Sequence, residues 1–171
     1  MVLGILPNLD KRGASDILER MRDILAKNNI KAYLPSHISF LGYESIPEEE
    51  LFKVSDVIIT VGGDGTIIRY AKSAAVYQKP ILGINAGRMG FLANLESNQL
   101  NLLGKLISGD YETENRMMLE GEIIKANGEK IKIPPALNEV SISKNIYGVV
   151  RFDAVIDGKL INSYTADGMI V

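Results

Sequence analysis

The 171-residue sequence has no cysteine and a single histidine, His37. The first absence removes disulfides, thiolate nucleophiles and cysteine zinc sites, and it fits a reducing compartment. The second leaves the usual catalytic triads with little to work with, and one histidine in a loop builds no metal site alone. No apolar run approaches the roughly 18 residues of a membrane span. Met1-Val2-Leu3-Gly4-Ile5-Leu6-Pro7 is too short for a secretory leader. These readings predict a cytoplasmic chain with no membrane partner. Charge of one sign is not clustered either: 19 Lys and Arg against 21 Asp and Glu give a formal net charge of -2. Nucleic acid therefore finds no basic footprint, and a small anionic ligand needs a local site. Repeats and low-complexity tracts are also absent.

What is there is apolar sequence, 46% of the residues, enough for a buried core. Val2 to Leu6 reads as a buried strand, and Ile17, Leu18, Met21, Ile24 and Leu25 follow a helical stripe. A strand around Lys31 to Leu34 comes next, then a helix opened by Pro47 with Glu48, Glu49 and Glu50 in its first turn. Asp56 to Val61 is a compact Val/Ile strand, Thr66 to Tyr77 a helix, Pro80 to Ile84 another strand, and Asn98 to Ile107 a closing helix. This β-α-β order predicts an α/β domain over residues 1–110, a parallel sheet flanked by helices that binds ligands beyond the carboxyl ends of its strands. From 111 to 171 the texture changes. Met117, Leu119, Gly121 and Ile123 alternate, as do Phe152, Ala154 and Ile156, and Asn127-Gly128 and Asp157-Gly158 are tight-turn signals. A β-rich second domain is expected, incomplete because the chain stops at Met169-Ile170-Val171 in a strand-like run.

The pentapeptide Gly62-Gly63-Asp64-Gly65-Thr66 sits between the Val/Ile strand and a helix. Glycines there let backbone approach a ligand and place N–H groups at a helix start, an arrangement suited to phosphate, with Thr66 expected to cap the helix. Asp64 is the awkward member, because a carboxylate within about 4 Å of a phosphate charge meets a repulsion of roughly 4 kcal/mol at intermediate dielectric. Two roles justify it: bridging to phosphate through a magnesium or other divalent ion, or accepting the proton of an attacking hydroxyl. Standing alone, a Gly-Asp-Gly is equally an ordinary turn. The sequence has neither a G-x-x-x-x-G-K-[ST] loop nor the third glycine of a dinucleotide fingerprint. Arg69, one turn into the helix, is a candidate phosphate partner or a solvated charge.

The pentapeptide resembles the motif of NAD kinases, diacylglycerol-type lipid kinases and, more distantly, phosphofructokinases. Gly87-Arg88-Met89-Gly90-Phe91-Leu92, Asn138-Glu139 and Thr165-Ala166-Asp167-Gly168 follow in the order and spacing of NAD kinases. That resemblance implies phosphoryl transfer from ATP or polyphosphate to the adenosine-ribose 2′-hydroxyl of NAD, giving NADP. It implies Asp64 as the hydroxyl's activator, and Gly62, Gly63, Gly65 and Thr66 as holders of phosphate and metal. It also implies NAD contacts from Asp64, Gly65, Phe91, Asn138, Glu139 and Asp167, with NAD in a cleft between two domains. An amide beside a carboxylate suits vicinal ribose hydroxyls, though Asn138-Glu139 after Pro134-Pro135 also reads as a plain loop. Phe91 is either a packing residue or a face for a ring of the dinucleotide. Asp167-Gly168 is otherwise a turn like Asp157-Gly158.

The family continues past the position of Val171 into a Gly/Ser/Thr-rich loop and further strands. The expectation is therefore that a longer protein phosphorylates NAD and that these 171 residues do so weakly or not at all, with an exposed sheet edge. Family analogy also implies a homodimer or homotetramer. The competing readings are a lipid kinase, which needs an apolar acceptor site or membrane-facing patch, and a non-catalytic nucleotide-binding module.

Overall fold

The computed structural model describes residues 1–87, 90–144 and 148–171. They form two compact units, Met1–Met117 and Met118–Val171.

The first unit is an α/β layer. Its strands are β1 (Val2–Pro7), β2 (Lys31–Pro35), β3 (Glu44–Ile46), β4 (Val57–Gly62), β5 (Ile81–Asn85) and the short β6 (Leu95–Glu96), all paired in parallel in the order β3-β2-β1-β4-β5-β6. Helix α1 (Ala14–Lys27) carries the predicted stripe, and Ala14, Ile17, Leu18, Met21 and Leu25 are buried. With Leu3, Ile5, Val57, Ile59, Val61 and Ile84 they form the core on one face of the sheet. The other face is covered by α2 (Glu48–Val54) and α3 (Asp64–Val76), where Leu6, Leu51, Phe52, Ile58, Tyr70 and Ala74 pack together. Successive residues of β4 thus feed opposite cores, which is why its sequence is apolar apart from Thr60 rather than alternating. Gly4 has no Cβ because one would run into Leu51, Ser55 and Ile58, the contact that lets α2 close on the sheet.

Several boundaries differ from the sequence reading. Helix α3 begins at Asp64, with Gly63 in extended conformation as the preceding residue, so Thr66 lies inside the first turn and does not cap it. The Thr66 hydroxyl is instead buried against Gly62, where any Cβ would meet it. The expected closing helix is a 3-10 turn, Ser97–Leu102, with a break at Gln99, followed by α4 (Leu103–Ser108) ending at Gly109 in the left-handed conformation.

The second unit consists of three antiparallel strand pairs: β7 (Leu119–Ile124) with β8 (Lys130–Ala136), β10 (Val150–Ile156) with β11 (Lys159–Ala166), and β9 (Ser141–Ser143) with β12 (Gly168–Ile170). Both turn signals fall where expected. Gly128 takes a positive φ at the tip of the first hairpin, and Asp157 and Gly158 both do at the second, the geometry of a two-residue turn whose twist matches the strands. No helix among the described residues is long and apolar enough to cross a membrane.

Candidate functional site

In a doubly wound parallel sheet, the loops at the strand carboxyl ends part where the strand order reverses, and ligands enter there. In this chain that point lies between β1 and β4. The loop after β1 is pinned to β4 by the Asn8 N–H, which donates to Val61 O at 2.8 Å. A cleft of about 390 Å³ opens beside it, lined by Pro7, Asn8, Leu9 and Asp10 after β1, His37 and Ile38 after β2, and Gly65, Thr66, Arg69 and Tyr70 of α3. Of the Gly-rich loop, Gly65 and Thr66 line this open cleft. Asn8 and Tyr70 were not singled out in the sequence, and His37, noted there only as the one histidine, was assigned no role; nothing links three residues that far apart.

The glycines of the loop divide into two kinds. Gly62 is required by packing, because of Thr66. Gly63 and Gly65 are not: neither takes a left-handed backbone, and a Cβ added to either would meet nothing within 4 Å. A glycine inside a helix costs about 1 kcal/mol relative to alanine. Gly65 carries that cost with no packing return, and the open space above both residues is what a closely approaching ligand needs. Of the first N–H groups of α3, that of Thr66 donates to Gly63 O at 2.9 Å, which leaves those of Asp64 and Gly65 facing the helix start, and the helix dipole adds partial positive charge there.

Asp64 is the first residue of α3, and its carboxylate is held from outside the helix. The Phe91 N–H donates to Oδ2 at 2.8 Å and the Leu92 N–H to Oδ1 at 3.0 Å. These two bonds, Phe91 first, hold the carboxyl below the usual aspartate range, so it is ionised at neutral pH. The stability it contributes is present above the unfolded carboxylate range and is lost as pH falls through the lowered folded value. The electrostatic difficulty posed by the sequence is thus met by neighbouring amides and the helix start. Gly90 makes the approach possible: a Cβ there would land on the carboxylate. Arg88 and Met89, within the same motif, lie outside the described residues.

The loop bearing these amides is itself tied down. Buried Asn85, at the end of β5, donates through Nδ2 to both carboxylate oxygens of Glu96 at 3.2 and 3.0 Å, and its Oδ1 accepts the Gly87 N–H at 3.1 Å. Further along, the Gly83 N–H donates to Asn94 Oδ1 at 3.0 Å. Phe91 is 98% exposed, so its side chain is not a packing residue of the first unit. Arg69 lies at the cleft with its guanidinium 5.3 Å from the centre of the Tyr70 ring, leaving it available to an anion.

The remaining candidates sit in the second unit, on one ribbon. Asn138, at positive φ, and Glu139 precede β9 and are exposed, with Asn138 Nδ2 3.5 Å from Glu139 Oε2. Asp167 precedes β12 and pairs with Lys144 at 3.0 Å. The register Gly168 with Ser143 and Ile170 with Ser141 puts the Asn138-Glu139 pair and Asp167 at opposite ends of this ribbon, roughly 15 Å apart at the usual strand rise. Lys144, the partner of Asp167, gave no sequence signal. Among the described residues no three His, Cys, Asp or Glu side chains converge as a metal site.

Comparison with known proteins gives a consistent set of relatives. The NAD kinase of Natranaerobius thermophilus is 36% identical over 174 aligned positions, covering 99% of this chain and 60% of that protein. The NAD kinase of Heliobacterium modesticaldum is 34% identical, covering 99% and 61%. The crystal structure of yeast NADH kinase complexed with NADH superposes with a TM-score of 0.78 at 20% identity, over 99% of this chain and 56% of that one, a likeness of fold. The chain thus spans about 60% of the length of these bacterial relatives. The family model for the ATP-NAD kinase N-terminal domain matches residues 3–111, the span that holds the sheet, the cleft and the clamped aspartate, and the chain belongs to the NAD kinase family.

Proposed function

We propose that this chain supplies the donor site and the proton-accepting carboxylate for phosphorylation of the adenosine-ribose 2′-hydroxyl of NAD, giving NADP. The observation that carries the reading is the pair of glycines, Gly63 and Gly65, whose missing side chains leave open space at a helix start beside a cleft. The terminal phosphates of ATP or polyphosphate fit that space, with the first N–H groups of α3 and Arg69 as donors. Thr66, buried at the cleft wall, shapes its floor.

In the reaction the 2′-oxygen forms a bond to the γ-phosphorus, the bond to the leaving nucleoside diphosphate or shortened polyphosphate breaks, and the hydroxyl proton passes to Asp64. A carboxylate this weakly basic does not strip an alcohol in the ground state. It orients the hydroxyl and takes the proton as charge develops, so most of the acceleration comes from placement and electrostatics. Magnesium fits this donor set only together with the donor's phosphates, since it is commonly held by one or two carboxylates plus phosphate oxygens; Asp64 is the protein group for it, and the ion would neutralise charge on the transferred group. Phe91 presents a free aromatic face for a ring of the dinucleotide. Within the second unit, Asn138 and Glu139 offer an amide and a carboxylate to ribose hydroxyls, and Asp167 offers a carboxylate to the nicotinamide end. On this reading residues 1–110 are an α/β domain and 111–171 part of a β-rich NAD-binding domain. The protein acts in the cytoplasm as a homodimer or homotetramer.

The test is a side-by-side assay of the full-length protein, with residues 1–171 alone run beside it, using ATP or polyphosphate, magnesium, and either NAD or diacylglycerol as acceptor. NADP formation is expected from the full-length protein, and little or none from residues 1–171 alone. Phosphorylated lipid would favour the lipid-kinase alternative, and NAD binding without turnover a nucleotide-binding module.

A further inference from the structure

We propose that Gly90, with the main-chain N–H groups of Phe91 and Leu92, is a positioning element for Asp64 that fixes the direction in which its carboxylate meets the acceptor hydroxyl. The inference rests on the reading of Asp64 as proton acceptor and adds residues to it. An aspartate at the first position of a helix ordinarily samples several rotamers, and its terminal torsion is broad. Here the two carboxylate oxygens accept from two successive amides, one each, 27 and 28 residues away in sequence. Two donors on two oxygens fix the plane of the group as well as its position. Each ionised oxygen keeps further acceptor capacity, so the clamp orients the carboxylate without consuming it.

Gly90 is sized by the carboxylate and not by the fold. The nearest atoms to an added Cβ are Asp64 Oδ1, then Cγ at 2.8 Å and Oδ2 at 3.0 Å. Its φ is outside the left-handed region, so an alanine meets no backbone strain there. The clamp is also anchored on both sides. Gly87 is held by Asn85, itself bound to Glu96, and Asn94 is paired with Gly83 through its side chain and, by its own N–H to Gly83 O at 2.9 Å, through the backbone. A loop tied at both ends can impose a direction on Asp64.

The experiment compares the full chain with its Gly90→Ala, Asp64→Ala and doubly substituted forms, by thermal unfolding, calorimetric NAD binding and steady-state kinetics. Gly90→Ala is expected to lower kcat by about 10²-fold, the scale of a misplacement near 1 Å, with KM and Kd for NAD unchanged. Its loss of Tm is expected to vanish once Asp64→Ala has removed the carboxylate, a non-additivity that a merely structural glycine would not show. Additive losses of Tm, a retained kcat, or Kd weakening in step with kcat would each overturn the proposal. So would a Gly90→Ala form that fails to fold even with Asp64→Ala present, whereas rescue of folding by Asp64→Ala supports the clamp. If the parent protein makes no NADP, the reaction reading fails, and the unfolding cycle still decides the geometry.

Discussion

The two units contain comparable stretches of Val, Ile and Leu and use them in opposite ways. In Met1–Met117 the apolar residues of β1 and β4 are covered on both faces, and Leu18 and Ile59 are fully buried. No described residue of Met118–Val171 is buried, and Ile161 is 58% exposed. A strand between two helical layers has a core as soon as the layers close, whereas a two-stranded ribbon has one apolar face and nothing of its own to cover it. The difference teaches where accurate chemistry can be built. The groups proposed to bind the donor and accept the proton stand on packed strands and a helix start, and those proposed to contact the acceptor's ribose and nicotinamide stand on ribbons. A site needs rigid support to hold its groups in productive geometry.

The contrast breaks most visibly in a pair of truncations. Leu18→Ala should cost about 2–5 kcal/mol of unfolding free energy, while Ile161→Ala should change it by no more than about 0.5 kcal/mol, as measured by denaturant titration. Similar losses at the two positions would erase the distinction. A smaller effect sharpens it. The Tyr43 hydroxyl, half-buried in the first unit, donates to Leu18 O at 2.8 Å, and burial pushes its pKa up. Tyr43→Phe should therefore lose about 1 kcal/mol, and Tyr164→Phe, on an exposed ribbon, close to nothing. The smallest effect has the opposite sign. Gly65→Ala should raise stability by about 0.5–1 kcal/mol, because the new methyl group meets no atom, while weakening donor binding in the same protein. Unchanged donor affinity would show that the space above the loop is not a binding site.

Much of the first unit was legible in the sequence because its signals are local. The continuous run Asp56 to Val61, the stripe of α1 and the β-α-β alternation each depend on neighbours a few residues apart, and β1, β2, β4, α3 and β5 appear within about two residues of their expected ends, whereas the expected Asn98 to Ile107 helix is broken at Gln99 and the short strands β3 and β6 gave no signal. The start of α3 was misplaced for a physical reason. A threonine at a helix start usually caps through its hydroxyl, but this one is turned against Gly62, and the glycine before Asp64 makes the transition. The site was legible as a list of residues and not as an arrangement. Gly87 to Leu92 could be recognised as a motif, yet nothing in it says that two of its amides reach Asp64, or that Asn85 and Glu96 brace the loop, since these pairs are separated by 11 to 28 residues. The turns at Asn127-Gly128 and Asp157-Gly158 were readable for the converse reason: each depends on local residues that accept a positive φ, Gly128 in the first and both Asp157 and Gly158 in the second.

The central claim is that Asp64 accepts a proton in phosphoryl transfer and is not simply the first residue of a helix. It is tested most directly by the rate of NADP formation in the full chain carrying Asp64→Asn, measured alongside NAD affinity. The amide keeps the shape but turns an N–H₂ group toward one of the Phe91 and Leu92 donors, so a modest loss of Tm is expected. The rate should fall by about 10²–10⁴-fold, the range for loss of a general base, with NAD affinity retained. A rate within a few-fold of the parent, or loss of NAD binding in proportion to the rate, would contradict it.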